Sequence, residues 1–365
     1  MERLAMLSES LTDKPLDKPN LLVDRKEDLE NLSKLSHLYH GTLIGVAGLR
    51  GIGKTTVFNL FTPLKRKKIL LRIMNRDSID SIFADLCYAL SKTLGEKYLK
   101  ILEKDNLEFS PHVGLAPGLN LSKSRNKVPF LKIVEDLRNL LDQEKDIVII
   151  LDEIDKESKE EIIRVMDALK YAFEGSNTTV FVAVPPSVYE EYVESKSVPD
   201  KTHNLENIFS YMMELAPLKE KELKEMVALR AGDDFGLIEP GALDIVASFA
   251  QGNPRQMLAV LKEATLSAAD KIKEKDVRAV IKRYLSFFIK SMDFTHKELA
   301  VLSVFDSSRE QFLSNIDKSK MFSSKTSAYM YLNRLEKKGA IKISEDNVSI
   351  DSRLKLSEVY GLLRL

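Results

Sequence analysis

The run Gly48-Leu49-Arg50-Gly51-Ile52-Gly53-Lys54-Thr55 constrains this chain more than any other, a glycine and four residues followed by Gly-Lys-Thr. Before it, Thr42 to Ala47 reads as a short buried strand; after it, Thr56 to Phe61 reads as a helix. A loop of this spacing between strand and helix has one common chemical use. Its glycines let backbone N–H groups turn inward around phosphates, its lysine reaches the terminal phosphates, and its hydroxyl ligates magnesium. The positive end of the helix adds to the attraction. The pattern therefore predicts Gly48, Arg50, Gly51, Ile52, Gly53, Lys54, Thr55 and Thr56 as contacts to ATP or ADP, with Lys54 also catalytic and Thr55 a ligand of Mg2+.

About a hundred residues on, Asp146 to Leu151 is an unbroken apolar run after its first residue, the pattern of a central parallel strand, and it ends in Asp152-Glu153-Ile154-Asp155. Ligands of open α/β sheets bind at that C-terminal edge. Asp152 is thus expected to hold the metal from the side opposite Thr55, and Glu153 to orient and deprotonate the attacking water. Asp155 reads as a helix cap.

At 365 residues the chain has length for roughly two or three domains. No apolar run approaches the ~20 residues of a bilayer-crossing helix and Met1-Glu2-Arg3-Leu4 lacks a signal-peptide pattern, so the expectation is a cytoplasmic protein without a membrane partner. The single cysteine, Cys87, shares a helical apolar pattern with Ile82, Leu86 and Leu90, which makes it a small buried hydrophobe. Lys+Arg 55 balance Asp+Glu 55. Any DNA binding has to come from local patches and be salt-sensitive.

Along the chain, residues to about Asn20, with Pro15 and Pro19, read as a flexible arm, and an amphipathic helix begins near Leu21. Lys68 to Ile73 is a second strand, Ser78 caps a helix through about Leu94, and the segment from Glu108 to Lys127 reads as a hairpin or irregular insertion with a basic cluster at Lys123, Arg125 and Lys127. Helices over Phe130 to Leu141 and Glu160 to Phe173 flank the acidic strand, and Thr178 to Val184 is a further strand halted by Pro185-Pro186. Strands alternating with helices mean a parallel sheet. From Pro217 the strands stop and four helices follow, with the sharp turn Gly252-Asn253-Pro254-Arg255 opening one of them. An arginine in a first helical turn opposes the helix dipole, so Arg255 requires a compensating anion, and a triphosphate would serve. From about Asp293, three helices and the hairpin of Ala340–Ser344 with Asn347–Ile350 form a winged-helix pattern. Its third helix would enter a DNA major groove with Ser324, Lys325, Ser327 and Tyr331, while Lys338 or Lys342 would meet phosphates. Winged helices also dock proteins.

These parts together resemble the AAA+ ATPases, most closely the origin-recognition and initiator-like clade and its archaeal STAND-type relatives, over nearly the whole chain from Leu21. The resemblance implies an α/β fold, a P-loop NTPase parallel sheet of AAA+ type with an all-helical lid and a C-terminal winged helix. The matching boundaries are an arm over 1–20, a core over 21–216, a lid over 217–290 and a winged helix over 291–365. It also implies that Val23 and Arg25 lie beside the adenine and that Arg255 is the second sensor, touching the γ-phosphate. The implied function is an ATPase whose nucleotide state controls duplex-DNA binding or homo-oligomeric assembly, placing the protein at the nucleoid. The alternative is a STAND-type signalling or scaffold switch whose winged helix binds a protein partner. Two departures bear on the choice. The strand ending at Val184 offers Pro185 and Pro186 where a polar sensor belongs, with Ser187 the nearest hydroxyl, and no arginine lies in Lys201 to Ala216, where a finger for the neighbouring subunit is often found. Arg164 is the candidate substitute. Hydrolysis is expected to be slow, because such fingers are worth roughly a thousandfold or more in rate.

Overall fold

The computed structural model describes residues 2–72, 79–103, 130–144, 146–154, 159–197, 205–320, 325–344 and 346–362. Ser78, Asp155, Ser324 and the expected insertion with Lys123, Arg125 and Lys127 lie outside them. The chain forms two compact units, one of Asp13–Arg230 with Gln251–Gln256, the other of Met1–Thr12, Ala231–Ala250 and Met257–Leu365.

Helix α1 (Glu2–Ser10) belongs to the second unit. Residues 1–20 were expected as a flexible arm, yet Leu4, Leu7 and Leu11 fall on one helical face and are buried. The rest of the expected arm, from Asp13, lies in the larger unit.

In the larger unit the elements alternate as the hydrophobic pattern requires: α2 (Lys26–Leu38), β1 (Thr42–Ala47), α3 (Lys54–Leu60), β2 (Lys67–Arg72), α4 (Ile79–Leu94), α5 (Leu99–Glu103), α6 (Phe130–Asp142), β3 (Ile147–Asp152), α7 (Lys159–Phe173), β4 (Thr178–Val184), α8 (Pro186–Ser197), α9 (Leu205–Ile208), β5 (Phe209–Glu214) and α10 (Glu220–Ala231). Helix α2 starts five residues later than Leu21 because Asp24 has a φ of 46° and breaks the pattern. The five strands are parallel in the order β2-β3-β4-β1-β5. Strand β5 was not expected from the sequence; its buried Phe209, Met212 and Met213 do not alternate regularly with polar residues.

Successive strand residues face opposite layers. In β3, Ile147, Ile149 and Leu151 pack under α4, α6 and α7, while Val148 and Ile150 pack with Leu32 and Leu35 of α2 and with Val57, Phe58 and Phe61. Cys87 sits in the first of these layers, where burial pushes its thiol up to about 12. Opposite the ligand-binding edge, Arg66 ties the strand ends together. Its guanidinium donates to the carbonyl oxygens of Ser36, Ile147 (2.7 Å) and Asn177 (2.7 Å) and to the Thr179 hydroxyl (2.7 Å).

Among its described residues the second unit is helical apart from one hairpin. Helices α11 (Pro240–Ala250), α12 (Pro254–Ala264) and α13 (Glu274–Met292) are followed by α14 (His296–Leu302), α15 (Arg309–Lys318), α16 (Lys325–Lys337), β6 (Ile341–Ile343), β7 (Val348–Ile350) and α17 (Ser352–Val359). The expected lid of 217–290 is not one body: α10 and the turn 251–256 belong to the larger unit. Strands β6 and β7 pair antiparallel, and Val301, Phe312, Leu332, Leu335, Ile341 and Leu354 share a core. Lys338, expected on phosphates, is engaged internally, donating to the Asp293 carbonyl (2.6 Å) and to buried Glu298 (2.9 Å). Burial opposes the Glu298 charge, but bonds from Thr295 and Lys338 outweigh it and hold the carboxyl below its ordinary range. Among the described residues, no helix is long and apolar enough to cross a membrane.

Removing the Arg66 fork takes this donor from the Ile147 and Asn177 carbonyls and leaves the Ser36 carbonyl with only the Thr179 hydroxyl at 3.4 Å. Arg66→Ala should cost about 3 kcal/mol, lowering the melting temperature by about 6–12 °C, and Arg66→Lys should recover only part of it because an ammonium lacks the planar fork. A melting temperature unchanged in both variants would remove Arg66 from this role.

Candidate nucleotide-binding site

Strand β1 delivers the chain into the loop 48–53, and α3 leaves from Lys54. The loop closes on itself, the Ile52 N–H donating to the Leu49 carbonyl (3.2 Å). Lys54 is 6% exposed, and its ammonium donates to the carbonyls of Gly48 (2.6 Å) and Leu49 (3.3 Å), so the charge stands inside the turn where phosphates would be received. Gly51 shows why a side chain is excluded there. Its φ is 87°, and an added Cβ would lie 2.8 Å from both the Arg255 Cβ and the Asn253 Oδ1.

That contact brings the Gly-Asn-Pro-Arg turn to the loop. Gly252, at φ 80°, lets the chain pass against Pro217 and Leu218, and its carbonyl accepts from the Leu218 N–H (3.0 Å). Asn253 donates to the Arg50 carbonyl (2.9 Å) and accepts from the Gln256 N–H (3.2 Å), capping α12. Arg255 thereby stands beside Gly51.

Arg25 and Val23 also converge here. Val23 is buried, and Arg25, 6% exposed, donates to Asp28 (3.1 Å), to the Ile52 carbonyl (3.1 Å) and to the Ala216 carbonyl (2.9 Å). These hydrogen bonds brace the loop against the segment after β5. Burial nevertheless raises the Asp28 carboxyl, an effect that the Arg25 charge opposes. Beside the loop lies a mainly apolar cavity, lined by Leu16, Leu21, Leu22 and Val23 on one side, Ile52, Gly53 and Thr56 on another, and Leu218, Met226, Arg230 and Pro254 on a third, with Arg25. Its lining is of the apolar kind that meets the face of a base. The Thr56 hydroxyl accepts from the Leu16 N–H (3.2 Å), and Asn59 donates to the Leu16 carbonyl (3.2 Å).

At the same sheet edge β3 ends in Asp152 and Glu153. Asp152 is 2% exposed and accepts from the Glu153 N–H (2.9 Å). Glu153 has a φ of 69°, a left-handed conformation unusual for a glutamate and typical of residues held in place for function. Between these strands stands β4, where Val184 pairs with Ala47 and Val182 with Leu151, so the apolar Val184-Pro185-Pro186 end lies between the loop and the carboxylates. The hydroxyl of Thr55 and the carboxylate of Asp152 are hard oxygen donors. They fit Mg2+, which takes one or two protein oxygens and completes its shell with phosphates and water. Arg164, the candidate finger, pairs with Glu161 of its own helix (2.6 Å) on an exposed surface.

The sequence reading missed Leu16, Leu218, Met226 and Arg230, which line the cavity, and Asp13, which pairs with Arg255 (3.4 Å). The only signal for Asp13 was the anion that Arg255 demands.

A family profile described as the KAP family P-loop domain matches residues 27–236. No curated protein matches the chain. Among solved structures, a Walker-type ATPase of Pyrococcus abyssi superposes with a TM-score of 0.58 at 14% identity, over 98% of this chain and 100% of that one. The Orc1 protein of Aeropyrum pernix in complex with DNA gives 0.46 at 16% identity, over 94% and 96%. A RuvB variant of Thermotoga maritima gives 0.43 at 16% identity, over 93% and 95%.

Lys54→Ala should abolish nucleotide binding, whereas Glu153→Gln should keep ATP bound and lower turnover about 10²–10⁴-fold. Equal loss of binding in the two, measured by equilibrium titration, would dismiss Glu153 as the general base. Gly51→Ala should weaken nucleotide binding about tenfold or more, since both its φ and its contact with Arg255 resist a Cβ.

Proposed function

This chain belongs to the KAP family of P-loop NTPases, and from that premise we infer that it binds and slowly hydrolyses ATP with Mg2+ and that its nucleotide state governs duplex-DNA binding through a C-terminal winged helix. The observation that carries the catalytic half is the buried Lys54 ammonium inside the loop at the sheet edge where Asp152 and Glu153 also end. Lys54 would neutralise the terminal phosphates, Glu153 would align a water and accept its proton, and Arg255 would meet the γ-phosphate. Thr55 and Asp152 would hold the metal, which supplies charge neutralisation between the phosphates. The Val184-Pro185-Pro186 end leaves the water with one fewer polar contact, which agrees with slow turnover.

The DNA half is supported by the three helices α14, α15 and α16 with the β6–β7 hairpin. Helix α16 exposes Thr326, Tyr329, Met330, Asn333, Arg334 and Lys337, a mixture of polar, aromatic and basic side chains that fits a groove. Tyr331 is half-buried beneath Arg334 (5.2 Å from the ring centre) and Ser327 is half-buried, so the contact residues shift from those read in the sequence toward Arg334 and Lys337, while Lys342 at the hairpin stays exposed. The initiator-like relationship is this reading's natural setting, with subunits assembling along DNA. A STAND-type switch binding a protein is the second reading, favoured by the nonpolar end of β4.

Steady-state ATP turnover with and without duplex DNA at low salt separates the two. The first reading expects turnover that rises with duplex; bound nucleotide with no turnover in either condition supports the switch. In the full chain, Arg334→Glu with Lys337→Glu should weaken duplex binding about tenfold or more and reduce the salt slope by about two. The full chain is needed because α17 packs on α13, and a cut near Ser291 would strip that face.

A further inference from the structure

The anion that Arg255 requires is present within the chain itself. Arg255 stands in the first turn of α12, and its Nε lies 3.4 Å from the Asp13 carboxylate. Asp13 acts on a second arginine as well. Arg230 lines the base cavity, where burial lowers its pKa and the charge of Asp13 works against that lowering. Three residues further on, Leu16 is held by backbone bonds to Thr56 and Asn59 of α3 and forms one wall of the same cavity. The segment 13–16 is therefore anchored at one end on the helix that follows the phosphate loop and presents an acid to the arginine at the other.

We propose that Asp13 is an internal competitor of the nucleotide's terminal phosphate, a carboxylate that holds Arg255 until a γ-phosphate replaces it. This rests on the reading of Arg255 as the residue that meets the γ-phosphate. The chemistry is an exchange of one anion for another on the same guanidinium. Arginine receives phosphate and carboxylate oxygens through the same donors, and it cannot serve both fully. Asp13 is 55% and Arg255 44% exposed, so the pair is weak enough to be displaced. ADP lacks the displacing group. The exchange would therefore distinguish ATP from ADP rather than nucleotide from no nucleotide.

Position makes the exchange consequential. Asp13 is the residue at which the chain enters the larger unit, Arg230 is the one at which it first leaves, and Arg255 stands one residue before it leaves again. Trading Asp13 for a phosphate frees the chain at one such point while holding it at another. A third phosphate would thus be felt where the backbone connects the two units.

The test is equilibrium binding of ATP and ADP to the full chain and to Asp13→Asn, Arg255→Ala and the double variant. Asp13→Asn should tighten ATP about twofold to fivefold, the worth of an exposed ion pair, and leave ADP unchanged. Arg255→Ala should erase the preference for ATP, and adding Asp13→Asn to it should change nothing more. If Arg255→Ala erases the preference but Asp13→Asn alone leaves ATP affinity where it was, or shifts both nucleotides alike, the competitor role is refuted while the Arg255 reading stands. If Arg255→Ala keeps the preference for ATP, the Arg255 reading fails and the proposal with it.

Discussion

A single buried guanidinium ties the phosphate loop to two other segments of the chain. Arg25 has no aqueous alternative for its charge, and it spends its donors on Asp28, on the Ile52 carbonyl and on the Ala216 carbonyl. A charge taken out of water is tolerated only when it is paired and fully hydrogen-bonded. The segment ahead of α2, the loop and the end of β5 are therefore held to each other by the same requirement. The positions of Lys54, of the cavity wall and of the Gly252 turn follow from that arrangement, since Ala216 leads directly to Pro217 and Leu218, against which Gly252 packs.

The core was legible because its physics is local. Strand β1 and the phosphate loop announce themselves by an apolar run and by glycines at fixed spacing, and β3 by an apolar run that stops at two carboxylates. What escaped was whatever depends on residues far apart in sequence. Leu4, Leu7 and Leu11 carry a helical stripe, but prolines and charges just beyond suggested an arm without structure. The hydrogen bonds of Arg25 go to two backbone carbonyls that no side-chain pattern encodes. Lys338 was read as a candidate phosphate contact because its partner, buried Glu298, lies 40 residues away in the sequence. Strand β5 escaped for a different reason: an edge strand covered on parts of both faces lacks a clear period.

The site combines an orthodox phosphate loop with an unusual strand between it and the acids. Val184 is wholly buried and the two prolines after it offer no N–H and no polar side chain. Such an end favours a rigid wall over a water-positioning device. Glu153, just past Asp152, holds a left-handed backbone at a φ of 69° that a glutamate seldom adopts.

The division of the chain also has a consequence for its synthesis. Residues 232–237 are synthesised long after helix α1, yet within its own unit α1 packs against them. At about 5–20 residues per second, the leucine stripe of α1 waits some tens of seconds for that surface to be made. During that interval an amphipathic helix is displayed with nothing to bury it, and the nascent chain is in the condition that chaperones recognise. Residues 13–230 can meanwhile complete the sheet β2-β3-β4-β1-β5.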